Sequence, residues 1–419
     1  MKFSILAINS NLINITTQNS IINYLSKKLY EIGEKFSLIS YFDNLEKIRE
    51  YINSDNDFIF ILGTNSSIFN HNIKNNLAKV FGDKFVTSES SYSSLSKYCK
   101  NNNIPFSMEE EMEVLLPENS IPLCNSDYYN NGFMYKFNNK YIVFLPSDLN
   151  FTIDNYCSYI LPLIKDLTNF KSEYQVIKCF GILEKDIRSL LNDILVKKTI
   201  DIHIICDNLD SSIYFRYDNS IDNNVLQDVI SDACNKLNKF IYSTSDSNIY
   251  ETASELLKLH RKKVVIGETI TGGNIFKELS LINDDNIDST YLFHKFESII
   301  KTIKIDNNII SEYGKYSVNT IYELSNELLT YSNADLVLFT LGDKNLDTCY
   351  MCVGDLDGIH VYKNKINIKD DKMIENLTKT AIFYLIKKLK QNNLQFMWLF
   401  CIIFMKQMFD KRTKNYGWK

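Results

Sequence analysis

The stretch of this chain best suited to chemistry is an apolar run that ends in hydroxyl groups and paired glycines. Val264–Ile266 is apolar, and the following Glu268–Gly273 (ETITGG) supplies a carboxylate, two threonines and two adjacent glycines. The hydroxyl of Thr269 is of a type that can attack a carbonyl carbon, and glycines let backbone amides come close to an anionic group. The chain has only 13 glycines. A pair of them at the end of an apolar run therefore indicates a ligand loop.

The segments on either side of this loop predict the helices and strands that position it. Ile249–Arg261 has apolar residues at helical spacing, so the loop lies in a helix, strand, loop, helix unit. Further along, Ser317 is placed to cap a helix over Val318–Tyr331. Strands are expected at 334–340, 348–353 and 359–362, and a final helix at 372–389.

Composition limits the classes of function. A chain of 419 residues with 45% hydrophobic residues is long enough for two or three domains with real cores. Its 46 Lys+Arg against 51 Asp+Glu give a net charge of -5. Since no broad basic block is present, direct binding of nucleic acid is not expected.

The chain start and the cysteines point to one compartment. Met1–Ile8 is strand-like and lacks the features of a secretory signal, so we expect a cytoplasmic protein without a transmembrane segment. The nine cysteines are scattered and odd in number, which favours reduced thiols. Cys349 and Cys352 have redox or zinc-knuckle spacing, but they lie in a strand-like run with no second pair. They are interpreted as buried strand residues.

The first part of the chain alternates strands and helices. Lys2–Ile8 and Asp57–Leu62 are strand-like, and Gln18–Tyr30 has a helical apolar face. This alternation predicts an α/β fold with a mostly parallel sheet and helices on both faces. Ligands of such sheets bind beyond the carboxyl ends of the strands, which here means the loops Asn9–Asn14 and Gly63–His71.

These segments resemble, in one collinear order, the CinA family, the competence/damage-inducible proteins. Gly267–Gly273 matches the end of the family's A-E-S-x-T-G-G strand, Phe180–Glu184 its F-G-I-x-E segment, and Tyr313–Ser317 its H/Y-G-x-V-S. The resemblance implies a MoaB/MogA-like, molybdopterin-binding-type α/β sandwich over 1–165, a small α/β connector over 166–245, and a nicotinamide mononucleotide deamidase-like α/β domain over 246–392. Residues 393–419 form an apolar and then basic tail beyond the resemblance. The family also implies a homodimer.

The ligand loops of the N-terminal part depart from the family pattern. Asn11 stands at an acidic position of the first loop, and in the second only Gly63 survives, with Asn70 and His71 at the two aspartates. In the family these loops are implied to bind a divalent cation and to support a pyrophosphatase-type activity on ADP-ribose. Asn and His hold Mg²⁺ less well than paired carboxylates do. We therefore expect neither the cation nor that activity here, and no certain cofactor.

The deamidase motif is also altered. Thr269 stands at the family's nucleophilic serine, His294 at its tyrosine, and Ile299 at its lysine, although a shift of two residues would offer Lys301. The extra methyl of threonine restricts its side chain and crowds the approach to a carbonyl. The positions that match the substrate-binding residues are Glu268, Thr271, Gly272, Gly273 and, in a shortened loop, Gly342.

Three functions follow from these observations. The first is a CinA-like amidohydrolase that converts nicotinamide mononucleotide to nicotinate mononucleotide and ammonia in pyridine nucleotide salvage, and whose activity is now impaired or lost. The second is a non-enzymatic nucleotide-binding or assembly protein linked to competence or the DNA-damage response. The third is residual amide hydrolysis by Thr269 with His294 or Lys301.

Overall fold

The computed structural model describes residues 1–8, 15–42, 47–53, 55–168, 172–197, 200–218, 221–366 and 372–391. Asn11 and the tail 393–419 lie outside the described residues. The chain divides into two compact units, one within Met1–Tyr174 and Arg216–Ser220, the other within Gln175–Phe215 and from Ile221 onward.

The first unit is built from alternating strands and helices. Its strands are β1 (Phe3–Ile8), β2 (Phe36–Phe42), β3 (Phe58–Leu62), β4 (Phe85–Thr87), β5 (Leu115–Pro117), β6 (Ile121–Leu123), β7 (Gly132–Phe137) and β8 (Lys140–Leu145). Its helices are α1 (Ile15–Glu31), α2 (Ile48–Ile52), α3 (Ser67–Phe81), α4 (Glu89–Asn101), α5 (Met108–Glu113), α6 (Leu149–Asn155) and α7 (Leu161–Thr168), with a π-helical turn at Tyr156–Ile160.

The main sheet of this unit has the strand order β2-β1-β3-β8-β7-β6. The four strands β2, β1, β3 and β8 run parallel, and β7 and β6 continue the sheet in antiparallel fashion. β1 and β3 are buried along their whole length, because helices pack on both faces. The predicted mostly parallel α/β sheet is confirmed.

The second unit contains two sheets. The strands that lie wholly or mostly in it are β9 (Ser172–Phe180), β10 (Asp201–Asp207), β11 (Asp210–Asp218), β12 (Ile241–Ser243), β13 (Val264–Glu268), β14 (Ile287–Leu292), β15 (Leu336–Leu341), β16 (Thr348–Asp355) and β17 (Gly358–Lys365). Its helices are α8 (Glu184–Leu190), α9 (Asn192–Lys197), α10 (Asn223–Leu237), α11 (Ile249–His260), α12 (Asn274–Ser280), α13 (Phe296–Thr302), α14 (Asn307–Tyr313), α15 (Val318–Tyr331) and α16 (Met373–Gln391).

The larger sheet of the second unit places the ETITGG loop. Its order is β14-β13-β15-β16-β17, with β14, β13 and β15 parallel and β16 and β17 antiparallel. The carboxyl ends of β13, β14 and β15 therefore lie at one edge, where Thr269 follows β13. Ser317 caps α15 as predicted, since its hydroxyl accepts a hydrogen bond from the Thr320 amide at 3.1 Å.

Cys349 and Cys352 are fully buried in β16, as expected. Because side chains alternate along a strand, residues three apart face opposite sides, and the two thiols enter different core clusters. Burial raises the pKa of both thiols to about 12. This pair is therefore not a redox or zinc-knuckle motif. Within the described residues, no helix is long and apolar enough to cross a membrane.

Candidate functional site

Thr269 connects the ends of two neighbouring strands. Two carbonyl oxygens lie within donating distance of its hydroxyl, that of Thr340 at 2.8 Å and that of Gly342 at 3.1 Å, and the hydroxyl oxygen accepts from the amide of Gly342 at 2.8 Å. The backbone amide of Thr269 also donates to the Thr340 carbonyl, at 3.1 Å. The hydroxyl proton is thus directed at a carbonyl oxygen, which is not a base, and the half-buried side chain ties β13 to β15.

Thr340 was not identified from the sequence. Its hydroxyl lies 2.9 Å from that of Thr271, and both side chains are fully buried. Thr340 is the last but one residue of an apolar strand, so nothing in the sequence distinguishes it from a core position. The structure brings Thr269, Thr271 and Gly342 together around Thr340, as neighbouring ends of parallel strands should.

Glu268 is a buried carboxylate at the start of α12. Its Oε2 accepts from the amides of Gly273 at 3.0 Å and Ile275 at 3.2 Å, and its Oε1 from that of Phe276 at 2.9 Å. The side chain is fully buried. Glu268 therefore satisfies amides that an α-helix leaves without partners in its first turn.

The remaining loop amides are also used within the loop. Gly272 donates to the carbonyl of Thr269 at 3.1 Å, and Asn274 to that of Thr271 at 3.2 Å. We expected the paired glycines to offer amides to an anionic ligand. In the structure, the amides from Gly272 to Phe276 all donate to groups of the loop and of Glu268.

The two glycines instead allow the turn. Gly272 has φ +64° and Gly273 has φ +90°, a region that residues with a side chain rarely adopt. Gly342 is required for a different reason, since a Cβ there would lie 2.7 Å from the Cβ of Cys349.

His294 and Lys301 are not partners of the Thr269 hydroxyl, which bonds Thr340 and Gly342. His294 is exposed and comes two residues after Leu292, which pairs with Glu268 across β14 and β13. Lys301 is exposed on α13. Ile299, at the family's lysine, is fully buried in the core.

The loop that follows β3 in the first unit also forms hydrogen bonds between its own residues. The side-chain oxygen of Asn70 accepts from the amide of Thr64 at 2.8 Å, and its nitrogen donates to the carbonyl of Thr64 at 2.8 Å. A Cβ on Gly63 would overlap the Asn70 side chain and Phe144. Gly63 is thus required by packing. The buried Gln18, which sequence reasoning missed, donates to the carbonyls of Ile8 at 3.0 Å and Gly63 at 2.7 Å and joins the ends of β1 and β3.

His71 and Lys74 hold the C-terminal end of α5. His71 Nδ1 lies 3.2 Å from the carbonyl oxygen of Met112, and Lys74 Nζ donates to that of Glu113 at 2.8 Å. Lys74 also forms an ion pair with the Glu113 carboxylate at 3.2 Å, and both side chains are fully buried. Burial raises the pKa of Glu113 and lowers that of Lys74, and their mutual attraction opposes both shifts.

These residues do not fit a divalent cation. The loop from Gly63 to His71 contains no carboxylate, and Asn70 and His71 both bond the backbone of their own unit. Within the described part of the chain, no group of three His, Cys, Asp or Glu side chains could hold a metal ion.

Comparison with known proteins gives a consistent set of names. No family model matches the chain. A competence-damage inducible protein of Finegoldia magna is 23% identical over 405 residues, which cover 91% of this chain and 96% of that protein. A similar protein of Thermoanaerobacter sp. is 20% identical and covers 89% of this chain and 94% of its own length. Among solved structures, a CinA superfamily protein of Klebsiella pneumoniae is 16% identical with a TM-score of 0.32 and covers 35% of this chain and 99% of its own.

Proposed function

This chain belongs to the CinA family of competence-damage inducible proteins, and from that premise we propose that its second unit carries the scaffold of a nicotinamide mononucleotide amidohydrolase whose activity is impaired. The reaction would release ammonia and nicotinate mononucleotide. The odd number and scattered positions of the nine cysteines support a reducing, cytoplasmic setting for it.

The proposed impairment rests on the hydrogen bonds of the Thr269 hydroxyl. Attack on an amide carbonyl requires a base that removes the proton of the nucleophile and donors that stabilise the oxyanion. The acceptors within reach of the Thr269 proton are the backbone carbonyl oxygens of Thr340 and Gly342, at 2.8 and 3.1 Å, and the Thr269 oxygen already accepts from the Gly342 amide. Attack by Thr269 would break both bonds. The neighbouring amides from Gly272 to Phe276 are used by the loop and by Glu268, so they do not form an oxyanion hole.

The test is an assay of the purified chain beside its Thr269→Ala and Thr269→Ser variants. Ammonia and nicotinate mononucleotide released from nicotinamide mononucleotide are measured against heat-inactivated protein. We expect the wild type and Thr269→Ala to release both products at the same background rate. Turnover of the wild type that disappears in Thr269→Ala would overturn the impairment, and a higher rate of Thr269→Ser would then identify position 269 as the nucleophile.

A second candidate, a non-enzymatic assembly protein, is favoured by the first unit. Asn70 and His71, which stand at the two acidic positions of the family, serve as contacts within the fold. Calorimetric titration with ADP-ribose in the presence of Mg²⁺, and with nicotinamide mononucleotide, tests this candidate. Absence of heat with both ligands supports an assembly role, whereas binding of either one supports a retained nucleotide site.

A further inference from the structure

A lysine, a glutamate and an asparagine meet in the interior of the first unit. Lys74 on α3 and Glu113 at the end of α5 are both fully buried, and Asn131, directly before β7, is 1% exposed. The Lys74 amine lies 3.2 Å from Oε1 of Glu113, and the backbone amide of Asn131 donates to the same oxygen at 2.8 Å. A single carboxylate oxygen therefore holds Lys74 and Asn131 next to each other.

Two polar atoms of this cluster have no hydrogen-bond partner among the described residues. They are Oε2 of Glu113 and the side-chain nitrogen of Asn131, and both are buried. Buried polar atoms without a partner are rare in folded proteins, and each one requires an explanation. The cluster thus combines a buried amine with an unbonded carboxylate oxygen and an unbonded carboxamide nitrogen.

The surroundings of Lys74 favour a neutral amine. Burial lowers the pKa of Lys74 and raises that of Glu113, and both shifts favour the pair in which Glu113 holds the proton. The two hydrogen atoms of the neutral amine then point at the main-chain oxygen of Glu113, at 2.8 Å, and at its Oε1. The lone pair of the nitrogen stays available. A desolvated lysine amine of this kind attacks carbonyl carbons.

We propose that Lys74 and Asn131 become joined by an isopeptide bond, with Glu113 as the proton carrier. The Lys74 nitrogen attacks the side-chain carbonyl carbon of Asn131 and forms a new C–N bond. Oε1 of Glu113 accepts a proton from the attacking nitrogen, and Oε2 donates one to the Asn131 amide nitrogen. The bond from that nitrogen to the carbonyl carbon breaks, and ammonia leaves. Glu113 ends as it began, so the step needs no oxidant or other reactant.

Burial and fixed placement both favour this reaction. Groups held together in a folded core react as if at very high concentration, and a core that excludes water protects the product from hydrolysis. The new amide also replaces a buried pair of opposite charges, which is costly to keep out of water. The bond would connect α3 to the start of β7 within the first unit, independently of the Thr269 loop in the second unit.

The first test is the mass of the purified full chain and of its tryptic peptides. After prolonged incubation at neutral pH, we expect the intact chain to weigh less than its sequence by one ammonia molecule. Tandem mass spectrometry should find the peptide of Lys74 joined to that of Asn131, with no cleavage after Lys74. A full sequence mass with separate peptides would overturn the proposal. Loss of one water molecule would also overturn it, because this loss would indicate a bond between Lys74 and Glu113.

A second variant excludes another source of ammonia. Asn131 is followed by Gly132, and cyclisation of Asn131 onto the Gly132 amide would release ammonia as well. Lys74→Met removes the nucleophile of the isopeptide bond and leaves this cyclisation possible. We expect Lys74→Met to keep its full sequence mass. Loss of ammonia from this variant at the wild-type rate would assign the loss to cyclisation and contradict the proposal.

Glu113→Gln tests the proton carrier. Glutamine keeps an acceptor for the Asn131 amide but cannot carry the proton, so cross-linking should be at least ~100-fold slower. Circular dichroism checks that the variant is folded, and the wild-type masses decide the proposal if it is not. The matched control is Glu118→Gln in the same unit, since Glu118 forms an exposed pair with Lys84 at 3.6 Å. It should cross-link like the wild type. A folded Glu113→Gln chain that cross-links equally fast would show that Glu113 carries no proton and overturn the proposed step.

Discussion

The hydroxyl of Thr269 accepts a hydrogen bond from the amide of Gly342 at 2.8 Å, across the ends of β13 and β15. Both residues stand at positions that the family resemblance assigns to the active site. In this chain they bond each other, and the carbonyl oxygens of Thr340 and Gly342 lie 2.8 and 3.1 Å from the Thr269 hydroxyl as acceptors. Thr269, which stands at the position of the family's nucleophile, thus serves as a contact between two strands. Its substitution is therefore expected to change the stability of the fold, whether or not it changes catalysis.

Thr269→Val should destabilise the second unit by about 1–3 kcal/mol, because the shape is kept while the Gly342 amide and the Thr340 carbonyl lose a partner. Thr269→Ser keeps both bonds and should cost less than about 1 kcal/mol. Denaturant unfolding followed by circular dichroism measures the difference. Thr330→Val, at an exposed position of α15, is the control and should stay within about 0.5 kcal/mol of the wild type. Equal stabilities of Thr269→Val and Thr269→Ser would show that the hydroxyl bonds contribute nothing.

Much of the fold could be predicted from patterns local in the sequence. The helix predicted over Val318–Tyr331 has those bounds in the structure, and Ser317 caps it. Ile21, Ile22, Leu25 and Leu29 are buried on α1, as their spacing indicated. Helical and strand periodicities indicate which face of an element packs against the core, and this face does not depend on the residues of the ligand loops.

The contacts of the candidate site could not be predicted in this way. Whether Glu268 meets a ligand or the amides of α12 depends on the turn made by Gly272 and Gly273, and the ETITGG motif is compatible with both. The ion pair of Lys74 and Glu113 joins residues 39 positions apart. No periodicity links two such residues, and a buried lysine is not expected from composition.

Glu268→Gln should destabilise the second unit by about 2 kcal/mol or more, because the amide nitrogen that replaces one oxygen would face backbone N–H donors in a buried site. Glu251→Gln is the matched control. Glu251 accepts one amide, that of Asn248 at 2.7 Å, in the capping box of α11, where glutamine serves as well. We expect a change within about 0.5 kcal/mol there. Equal effects of the two substitutions in denaturant unfolding would contradict the role of Glu268 as an anchor of α12.

The burial of both Lys74 and Glu113 predicts that the stability cost of substituting one of them depends strongly on whether the other is present. Lys74→Met or Glu113→Gln alone should cost about 3–5 kcal/mol, because each leaves an uncompensated buried charge. The double variant buries neither charge and keeps an acceptor for the Asn131 amide, which donates to Glu113 at 2.8 Å. Its cost should be smaller than the sum of the single costs by about 2 kcal/mol or more.

The control for this cycle is the exposed pair of Lys315 and Glu297, whose charged atoms lie 2.7 Å apart with side chains 51% and 59% exposed. Its coupling energy, measured by the same denaturant unfolding, should not exceed about 1 kcal/mol. Additive costs for Lys74 and Glu113 would show that the buried pair contributes no coupling.

The burial of the Lys390 amine predicts how the free energy of unfolding depends on pH. Its amine donates to the carbonyl of Tyr242 at 2.9 Å near the end of α16, and burial lowers its pKa from the ordinary 10.5 to about 8. Between these two values the unfolded chain binds the proton and the folded chain does not, so this residue makes stability rise with pH over that range. Because a tenfold change in an acidity constant corresponds to about 1.4 kcal/mol, the rise is at most about 3.5 kcal/mol. Lys390→Met should remove this contribution from the free energy of unfolding measured between about pH 8 and pH 10.5. Lys258→Met, at an exposed position of α11, is the control and should retain the same rise of stability with pH. Identical pH dependence of the wild type and Lys390→Met would show that this amine keeps its proton in the folded chain.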